Sequence, residues 1–255
     1  MLKYYLFSKQ RKGYGIHSPF IFDLVSRVFR NKINPDIVLK VESIRKKNIS
    51  DKREISFKDL GAGSKIMKSG RRRKISDITK YSSVPARFGI LLSRLAAEFG
   101  GGVIIELGTS VGISTMYLAA GSPGSFVYTM EADGVLCNIA RGNFEEAGIK
   151  NVKAMEGSFD DLLPRFADEG ITPGLVFIDG NHRKEAVLNY VGKMIEIADD
   201  RTVIVLDDIY YSKDMVSAWD QVKGNPSVSA TVDIGRMGII FLRKGLMRFN
   251  YKIRY

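Results

Sequence analysis

The sequence predicts an α/β fold in which helices cover both faces of a mostly parallel sheet. From residue 101 onward, short apolar segments alternate with segments of helical character. This alternation is typical of right-handed βαβ units and of a doubly wound parallel sheet. A glycine turn follows the first apolar segment, and acidic residues end several of the others. These three observations carry the prediction of the fold.

Residues 1–84 are predicted to form a basic extension of helices and loops. Ser18 precedes a proline, and this pair of a capping residue and a proline predicts a helix over 19–30. A second short helix is predicted over 36–47. Residues 48–80 are polar, glycine-bearing and basic, so we expect a loop or linker there.

Residues 85–245 are predicted to form a Rossmann-like domain with a seven-stranded sheet. The predicted strands are VIIEL (103–107), FVYTME (126–131), NVKAME (151–156), LVFID (175–179), TVIVLDD (202–208), SATVDI (229–234) and GIIFLR (238–243). The predicted helices are 85–99, the STMYLAAG segment, 134–147, 183–198 and 212–223. The last two strands flank Gly235, Arg236 and Met237, which predicts an antiparallel hairpin. Residues 246–255 are predicted to be a basic C-terminal tail.

The charge of the chain is concentrated at its two ends. The net charge of +11 divides into +14 over residues 1–80, −8 over 81–242 and +5 over 243–255. Basic ends can bind nucleic acid, anionic lipid or an acidic substrate, or they can be solvated surface. The single cysteine excludes an internal disulfide. No apolar run approaches the roughly 20 residues of a membrane span, and no signal peptide is recognised, so we expect a cytoplasmic protein.

The first glycine turn, over Glu106–Ser114, has the spacing of a ligand-binding turn. Gly108 and Gly112 would let the backbone approach a ligand closely. Ser110 stands where dinucleotide-binding turns carry the glycine that admits a pyrophosphate, which favours a ligand without phosphates. The alternative is that the turn only serves the packing of its βα unit.

Acidic residues end three further predicted strands. Glu131 ends the second strand and could accept hydrogen bonds from both hydroxyls of a ribose; it could also be an exposed strand-end carboxylate. Asp179 ends the fourth strand, and Asp207 and Asp208 end the fifth, so all three should meet at the edge that holds Gly108. Their oxygens suit Mg²⁺ or another hard divalent cation; the alternative is that Asp208 caps the next helix and Asp179 holds a loop. Without a cation or a basic residue they would repel one another and raise one pKa.

His182 follows Asp179 by three residues and is the histidine nearest to the predicted site. Because histidine titrates near neutrality, His182 could take a proton from a hydroxyl group. Its alternative roles are to cap the next helix or to contact a cofactor. Aromatic residues Tyr210 and Tyr211 could line an acceptor pocket or pack at the surface.

Residues 103–243 resemble class I S-adenosylmethionine-dependent methyltransferases, and among them the catechol O-methyltransferase-like group. The E-x-G-x-x-x-G-x-S run is similar to the first motif of that group, which wraps the methionine end of the cofactor. Glu131 matches the ribose-binding acid, and Gly157 and Ser158 resemble the segment that flanks the adenine. The cofactor-binding residues that the resemblance implies are Glu106, Gly108, Thr109, Ser110, Gly112, Ser114, Glu131, Gly157, Ser158 and Asp179.

The same resemblance implies a metal site and a catalytic pair. Asp179, Asp207 and Asp208 match positions that hold a metal on which both oxygens of a catechol-type substrate bind, although the group usually has Asp-Asn where this chain has Asp-Asp. His182 takes the place of a lysine that acts as general base. We therefore predict His182 and Asp179 as the catalytic residues of methyl transfer to a small hydroxylated acceptor.

Two other functions remain open at the level of the sequence. The basic extension could track RNA phosphates in an RNA-modifying methyltransferase, a partner that we do not favour. The fold could instead bind a nucleotide or dinucleotide, against which Ser110 argues. The apolar helix over 19–30 could also pair with a second copy and form a homodimer.

Overall fold

The computed structural model describes residues 16–56 and 72–255. Helices form most of the connections between its strands. Within these residues the helices are α1 (Pro19–Ser26), α2 (Pro35–Ser50), α3 (Ile75–Ser82), α4 (Ala86–Phe99), α5 (Ile113–Gly121), α6 (Gly134–Glu146), α7 (Phe159–Asp168), α8 (Lys184–Glu196) and α9 (Lys213–Gly224). A 3-10 turn (Val28–Arg30) follows α1. Among the described residues, none of these helices has both the length and the apolar composition needed to cross a membrane.

Two sheets are present in the described residues. Their strands are β1 (Glu54–Ile55), β2 (Arg73–Lys74), β3 (Val103–Leu107), β4 (Phe126–Glu131), β5 (Val152–Glu156), β6 (Leu175–Ile178), β7 (Val203–Leu206), β8 (Ala230–Asp233), β9 (Gly238–Phe241) and β10 (Phe249–Lys252). The large sheet has the order β10-β8-β9-β7-β6-β3-β4-β5. The strands β3 to β7 are mutually parallel, and β9 is antiparallel to both β7 and β8. The predicted α/β fold class and the terminal hairpin are confirmed.

The parallel strands give the sheet two distinct edges. We call the edge at which β3, β6 and β7 end the carboxyl edge, and the edge at which they begin the amino edge. The turn between β8 and β9 lies at the carboxyl edge, because Gly238 pairs with Leu206 at the end of β7. In doubly wound folds the ligand binds at the carboxyl ends of the parallel strands.

The sheet has eight strands rather than the predicted seven, because residues of the predicted C-terminal tail form β10. This strand pairs in parallel with β8, and its Tyr251 is buried. Ile253 is also buried, and its backbone N–H donates to Asp233 at 2.9 Å. The segment was missed because the other residues of β10 are exposed, as expected of an edge strand, and give no apolar pattern.

Part of the expected linker over 48–80 is ordered secondary structure. Helix α2 continues to Ser50, β1 and β2 form an antiparallel pair, and α3 begins at Ile75. The expectation of a loop is therefore wrong for these residues, because Ile75 and Ile78 are buried on one side of α3. The remaining part of that prediction, over 57–71, lies outside the described residues, as does everything before residue 16.

Helix α7 is an element that the sequence analysis did not predict. Ser158 caps it, and Leu162, Leu163 and Phe166 are buried on one face. Pro164 lies inside the helix, where proline is normally a signal against helix formation. Pro164 is the sixth residue of this helix, so one intrahelical N–H bond is lost, and the burial of Leu162, Leu163 and Phe166 against the sheet offsets that loss.

The large sheet separates two apolar layers. One layer packs α7, α8 and α9 against the sheet. The other contains α4, α5 and α6 and also the N-terminal helices, since Ile21 and Leu24 of α1 and Val41 of α2 are fully or almost fully buried within it. Arg27 adds a bidentate ion pair from α1 to Glu98 of α4. The predicted division at residues 84 and 85 stays a prediction.

Candidate active site at the carboxyl edge

Backbone strain among the described residues is concentrated at the carboxyl edge. The non-glycine residues with positive φ are Ser110 (49°), Asn181 (49°) and Asp208 (53°). They follow β3, β6 and β7 respectively. A left-handed conformation is costly for a residue with a Cβ, and such residues cluster where a site requires a particular backbone path. Three neighbouring strands therefore deliver strained turns to one place.

The turn after β3 requires glycine at two positions. Gly108 has a φ of 109°, and a Cβ built on it would lie 2.1 Å from the carbonyl oxygen of Asp179. Gly112 has a φ of 83°, and its Cβ would lie 2.4 Å from the ring of Phe144. Gly108 thus lets the end of β3 lie against the end of β6, and Gly112 lets α5 begin against α6. Both predicted glycines shape the turn.

Glu106 is fully buried beneath this turn and is held by hydroxyl groups. Thr129 donates to its carboxylate at 2.7 Å, Thr115 donates to the same oxygen, and Thr109 and Thr129 share a hydrogen bond of 2.6 Å. Burial raises the pKa of Glu106 to about 7, although hydrogen bonds from Ser114, Thr115 and Thr129 oppose the rise. Of the predicted cofactor residues, Glu106, Thr109 and Ser114 therefore form a buried network that supports the turn.

Glu131 is fixed at the end of β4 beside the same turn. Its Oε2 accepts from the backbone N–H of Ser110 at 2.8 Å, and its Oε1 accepts from that of Asp133 at 3.1 Å. Burial raises the pKa of Glu131 above its ordinary value. A carboxylate has about four acceptor positions, so beside the N–H groups of Ser110, Asp133 and Ala132 at least one position stays open for a further donor.

The segment after β5 lies beside Glu131. Gly157 donates its N–H to the carbonyl oxygen of Glu131 at 2.9 Å, which places Gly157 and Ser158 at the same edge. The Ser158 hydroxyl donates to the carboxylate of Asp161 at 2.6 Å and accepts from the backbone of Asp161 at 3.2 Å. Its side chain is therefore engaged in capping α7, and a role beside adenine stays a prediction.

The predicted acidic triad is split by a residue that the sequence analysis did not single out. Arg236, in the turn between β8 and β9, binds both oxygens of Asp207, with Nε–Oδ1 at 2.8 Å and Nη2–Oδ2 at 2.6 Å. Asp207 is fully buried. The same guanidinium lies 3.4 Å from Asp208. The signal in the sequence was indirect: three carboxylates require a counter-charge, and the predicted hairpin turn carries an arginine.

Asp179, His182 and Asp208 form the other part of the cluster. One candidate ligand atom of each lies within 4.8 Å of the others. His182 Nε2 is 3.7 Å from Asp179 Oδ1, beyond hydrogen-bond distance, and the His182 ring lies 5.4 Å from that of Tyr211. Tyr211 therefore lies beside the site, which is where a residue that lines an acceptor pocket would have to be.

The electrostatics of the cluster reflect an excess of negative charge. Burial, followed by repulsion from Asp207 and Asp208, raises the pKa of Asp179 well above its ordinary value. Burial and the charge of Asp207 raise the pKa of Asp208 to about 6. Burial lowers the pKa of His182, so the neutral imidazole is favoured. One arginine does not offset three carboxylates, and a bound cation would reverse these shifts.

The structure leaves three buried polar atoms at this edge without hydrogen-bond partners in the described residues. They are Oε1 of Glu106, Nδ1 of His182 and Oδ1 of Asn181. Buried polar atoms are almost always paired in folded proteins, so unpaired ones point to a ligand or solvent partner. The cluster Asp179, His182 and Asp208 thus fits a divalent cation, whereas both oxygens of Asp207 already have a partner. The predicted role of Asp207 as a metal ligand stays a prediction.

Comparisons with known proteins agree with this fold. A family model described as a methyltransferase domain matches residues 105–209, which contain the first glycine turn and the acidic cluster. A catechol O-methyltransferase of Mycobacterium tuberculosis is 35% identical over 129 residues, which are 50% of this chain and 57% of that protein. The chain thus aligns with little more than half of the length of that relative.

Solved structures give the same architecture. An O-methyltransferase of Bacillus cereus in complex with S-adenosylhomocysteine has a TM-score of 0.57 at 20% identity, over 83% of this chain and 93% of that one. The O-methyltransferase TomG of Streptomyces achromogenes in complex with S-adenosylmethionine has a TM-score of 0.56 at 23% identity, over 64% and 82%. Residues 105–209 therefore match a methyltransferase domain, and the chain shares the Rossmann-like fold of these structures. The predicted resemblance to the catechol O-methyltransferase-like group is confirmed for this segment.

Proposed function

We propose that the chain is an S-adenosylmethionine-dependent methyltransferase that methylates an oxygen of a small hydroxylated molecule. The observation that carries the proposal is the arrangement of the carboxyl edge, where the glycine turn after β3, Glu131 and the acidic cluster meet. The match of residues 105–209 to a methyltransferase domain supports the same reaction. The acceptor oxygen, rather than carbon or nitrogen, follows the names of the relatives.

The residues at this edge fit the cofactor. The turn from Gly108 to Gly112 lies beside Glu131, whose remaining acceptor capacity suits a hydroxyl of a ribose. When bound, S-adenosylmethionine supplies a methyl group on a cationic sulfur, and transfer forms a carbon–oxygen bond while the electron pair of the broken carbon–sulfur bond stays on sulfur. The protein contributes position and charge.

His182 is the proposed acceptor of the hydroxyl proton. Its lowered pKa keeps the imidazole neutral near neutral pH, the form that can take a proton. Asp179, 3.7 Å away, would stabilise the imidazolium that results. The imidazole of His182 could instead bind a cation together with Asp179 and Asp208, and a ring nitrogen that binds a cation cannot also take the proton.

We propose Asp179 and Asp208 as ligands of a divalent cation, whether His182 accepts the proton or binds the same cation. Carboxylates favour hard cations such as Mg²⁺, whereas a third ligand nitrogen from His182 would favour a transition metal. When bound, the cation would supply a positive charge that favours the ionised form of an acceptor hydroxyl. The predicted homodimer, the cytoplasmic location, the RNA-modifying and dinucleotide-binding alternatives and the domain division stay predictions.

Calorimetric titration with S-adenosylhomocysteine, with and without Mg²⁺, tests the proposed function. We expect micromolar affinity in the unmodified protein and a loss of about tenfold or more in Glu131→Ala, since hydrogen bonds to a charged group are removed. Glu145→Ala, which removes an exposed carboxylate from α6, is the matched control and should change nothing. No binding in either condition would refute the proposed function.

A further inference from the structure

Three segments meet at the carboxyl edge beside Arg236. The turn between β8 and β9 carries Arg236 itself. Because β10 is parallel to β8 and ends opposite Asp233, the residues after it emerge at the same edge. Helix α4 precedes β3 through a short glycine connection, so its end lies at the amino edge and its first turn at the carboxyl edge. The first turn of α4 and the segment after β10 thus both border the acidic cluster.

The ring of Phe88 connects Arg236 to a second arginine. The guanidinium carbon of Arg236 lies 5.9 Å from the centre of this ring, and that of Arg87 lies 5.5 Å from it. Arg236 also contacts Asp207 and Asp208, so only one side chain separates the ring from the acidic cluster. The guanidinium of Arg87 therefore lies on the same aromatic ring as Arg236, which contacts the acidic cluster of the proposed active site.

Arg87 is held in place by aromatic contacts rather than by a counter-ion. Its guanidinium carbon is 4.9 Å from the ring of Tyr255, whose hydroxyl donates to the carbonyl oxygen of Arg87 at 3.4 Å. Arg94 donates to the same hydroxyl at 3.1 Å and so fixes the Tyr255 ring. Arg87 is exposed, and no carboxylate of residues 16–56 or 72–255 forms an ion pair with it.

An arginine positioned in this way is suited to bind a planar anion. Two aromatic rings orient the guanidinium, which reduces the entropy lost when it forms a two-fold hydrogen bond with a carboxylate. Stacking on rings leaves the N–H groups at the rim of the guanidinium plane free for an acceptor. The neighbouring arginine of the cluster, Arg236, differs because both oxygens of Asp207 occupy it.

We propose that Arg87 recognises a carboxylate on an aromatic methyl acceptor whose hydroxyl faces Asp179, His182 and Asp208. The inference rests on the proposed function and names the class of its acceptor. Phe88 would offer its ring to the aromatic body of the acceptor, between the carboxylate at Arg87 and the hydroxyl at the cluster. Arg87 is thus a specificity-determining residue, and it takes no part in proton or methyl transfer.

Two probes of equal shape test the proposal. 3,4-Dihydroxybenzoate carries the anion, and 3,4-dihydroxybenzamide replaces it with a neutral amide of the same size. We expect Arg87→Ala to lower the ratio of kcat/KM for the benzoate to that for the benzamide by about tenfold, since a charge-assisted hydrogen bond is lost. The change should lie in KM, because the contact exists before and during transfer. Arg87→Lys keeps the positive charge but loses the paired N–H groups of the guanidinium, so it should retain part of the preference for the benzoate.

Arg243 provides the matched control. Its guanidinium carbon lies 4.9 Å from the ring of Phe20, the same distance as that of Arg87 from Tyr255. Phe20 contacts Phe241, which pairs with the first residue of β7 at the amino edge. Arg243→Ala therefore removes an equivalent exposed cation from the opposite side of the sheet and should leave the ratio unchanged. An unchanged ratio in Arg87→Ala, or an equal fall in Arg243→Ala, would overturn the proposal.

The failure of the proposed function gives a different result. If the unmodified protein does not bind S-adenosylhomocysteine, or binds it but methylates neither probe, calorimetric binding of the benzoate takes the place of turnover. A benzoate affinity that falls in Arg87→Ala and not in Arg243→Ala supports the anion site, whatever becomes of methyl transfer. Equal benzoate affinity in all three proteins, or no benzoate binding, overturns the assignment of Arg87.

Discussion

The two edges of the large sheet differ in the residues and interactions that form them. At the carboxyl edge the described residues bring together strained turns, carboxylates of raised pKa and buried polar atoms that lack partners. At the amino edge Phe20, Phe99 and Phe241 pack edge to face, with ring centres 5.1 to 6.5 Å apart. One edge holds chemistry that costs stability, and the other consists of packing that provides it.

The difference indicates how the fold separates stability from function. Buried like charges and left-handed backbone persist only when the rest of the structure holds them in place. Aromatic packing at the far edge and the continuous apolar strands between the edges supply that support. Substitutions at the amino edge should therefore change stability without changing ligand affinity, whereas substitutions at the carboxyl edge should change stability, ligand affinity or both.

The largest expected effect is at the amino edge. Phe241→Ala should lower the free energy of unfolding by about 4 kcal/mol, because it empties the space of a buried ring. Denaturation in urea measures the loss, and Phe241→Leu, which keeps most of the volume, should lose much less. The affinity of the folded variant for S-adenosylhomocysteine should stay unchanged. A large drop in that affinity would contradict the separation of the two edges.

The ion pair of Arg236 and Asp207 should give the next largest effect. Arg236→Met should cost about 3 kcal/mol at neutral pH, because the carboxyl group of Asp207 then stays buried without its partner. Unfolding in urea measures this cost. The double variant Asp207→Asn with Arg236→Met should recover much of the stability, since the buried charge is removed with its partner. A double variant as unstable as the single one would show that Arg236 acts by packing alone.

The sequence was sufficient to predict the central part of the fold. The strands from β3 to β7 are apolar runs bounded by turn residues, and in a parallel sheet their acidic ends must meet at one edge. Asp179 and Asp208 were placed together by that argument, and the structure brings them together. Ser110 was singled out because it stands where dinucleotide-binding turns carry a glycine, and the structure gives this residue a positive φ.

The missed features depend on contacts between distant parts of the chain. Arg236 binds Asp207 across 29 positions, and Tyr255 contacts the backbone of Arg87 across 168. Neither pairing leaves a periodic pattern. Strand β10 becomes a strand only because β8 offers it an edge, and α7 is hidden by its internal proline. Periodicity reports which face of an element is buried, but it does not report which partner covers that face.

Glu106 should give a pH-dependent effect of intermediate size. Its pKa is raised from an ordinary 4.5 to about 7 in the folded chain, so folding favours the protonated form. The stability that this carboxyl contributes is present below about pH 4.5 and is lost as the pH rises through about 7. Glu106→Gln removes the ionisation and should raise the free energy of unfolding by up to about 3 kcal/mol at pH 8, with little gain at pH 4.5.

Urea denaturation of both proteins without cofactor, at pH 4.5, 6 and 8, measures the difference. Using the difference between the two proteins cancels the contribution of Asp208, whose pKa is raised in the same direction. The contribution of Asp179 changes together with Glu106, because the charge of Glu106 helps to raise the pKa of Asp179, and it belongs to the same ionisation effect. Glu145→Gln, at an exposed carboxyl on α6, controls for the general effect of an amide. A gain from Glu106→Gln that is equal at all three pH values would mean that ionisation of Glu106 is not its cause.

Backbone strain should give the smallest effect and the most direct comparison of the two edges. Ser110→Gly relieves a φ of 49° at the carboxyl edge and should raise the free energy of unfolding by up to about 1 kcal/mol. At the amino edge Gly102 has a φ of 95° and open space around its Cβ position, so Gly102→Ser should cost about 1 kcal/mol through the backbone alone. Thermal and urea unfolding measure the change in the free energy of unfolding for each variant. If only the carboxyl edge stores strain, this change is positive for Ser110→Gly and negative for Gly102→Ser. Because the Ser110 N–H that binds Glu131 is kept in Ser110→Gly, a loss of stability there would mean that the serine hydroxyl outweighs its backbone cost.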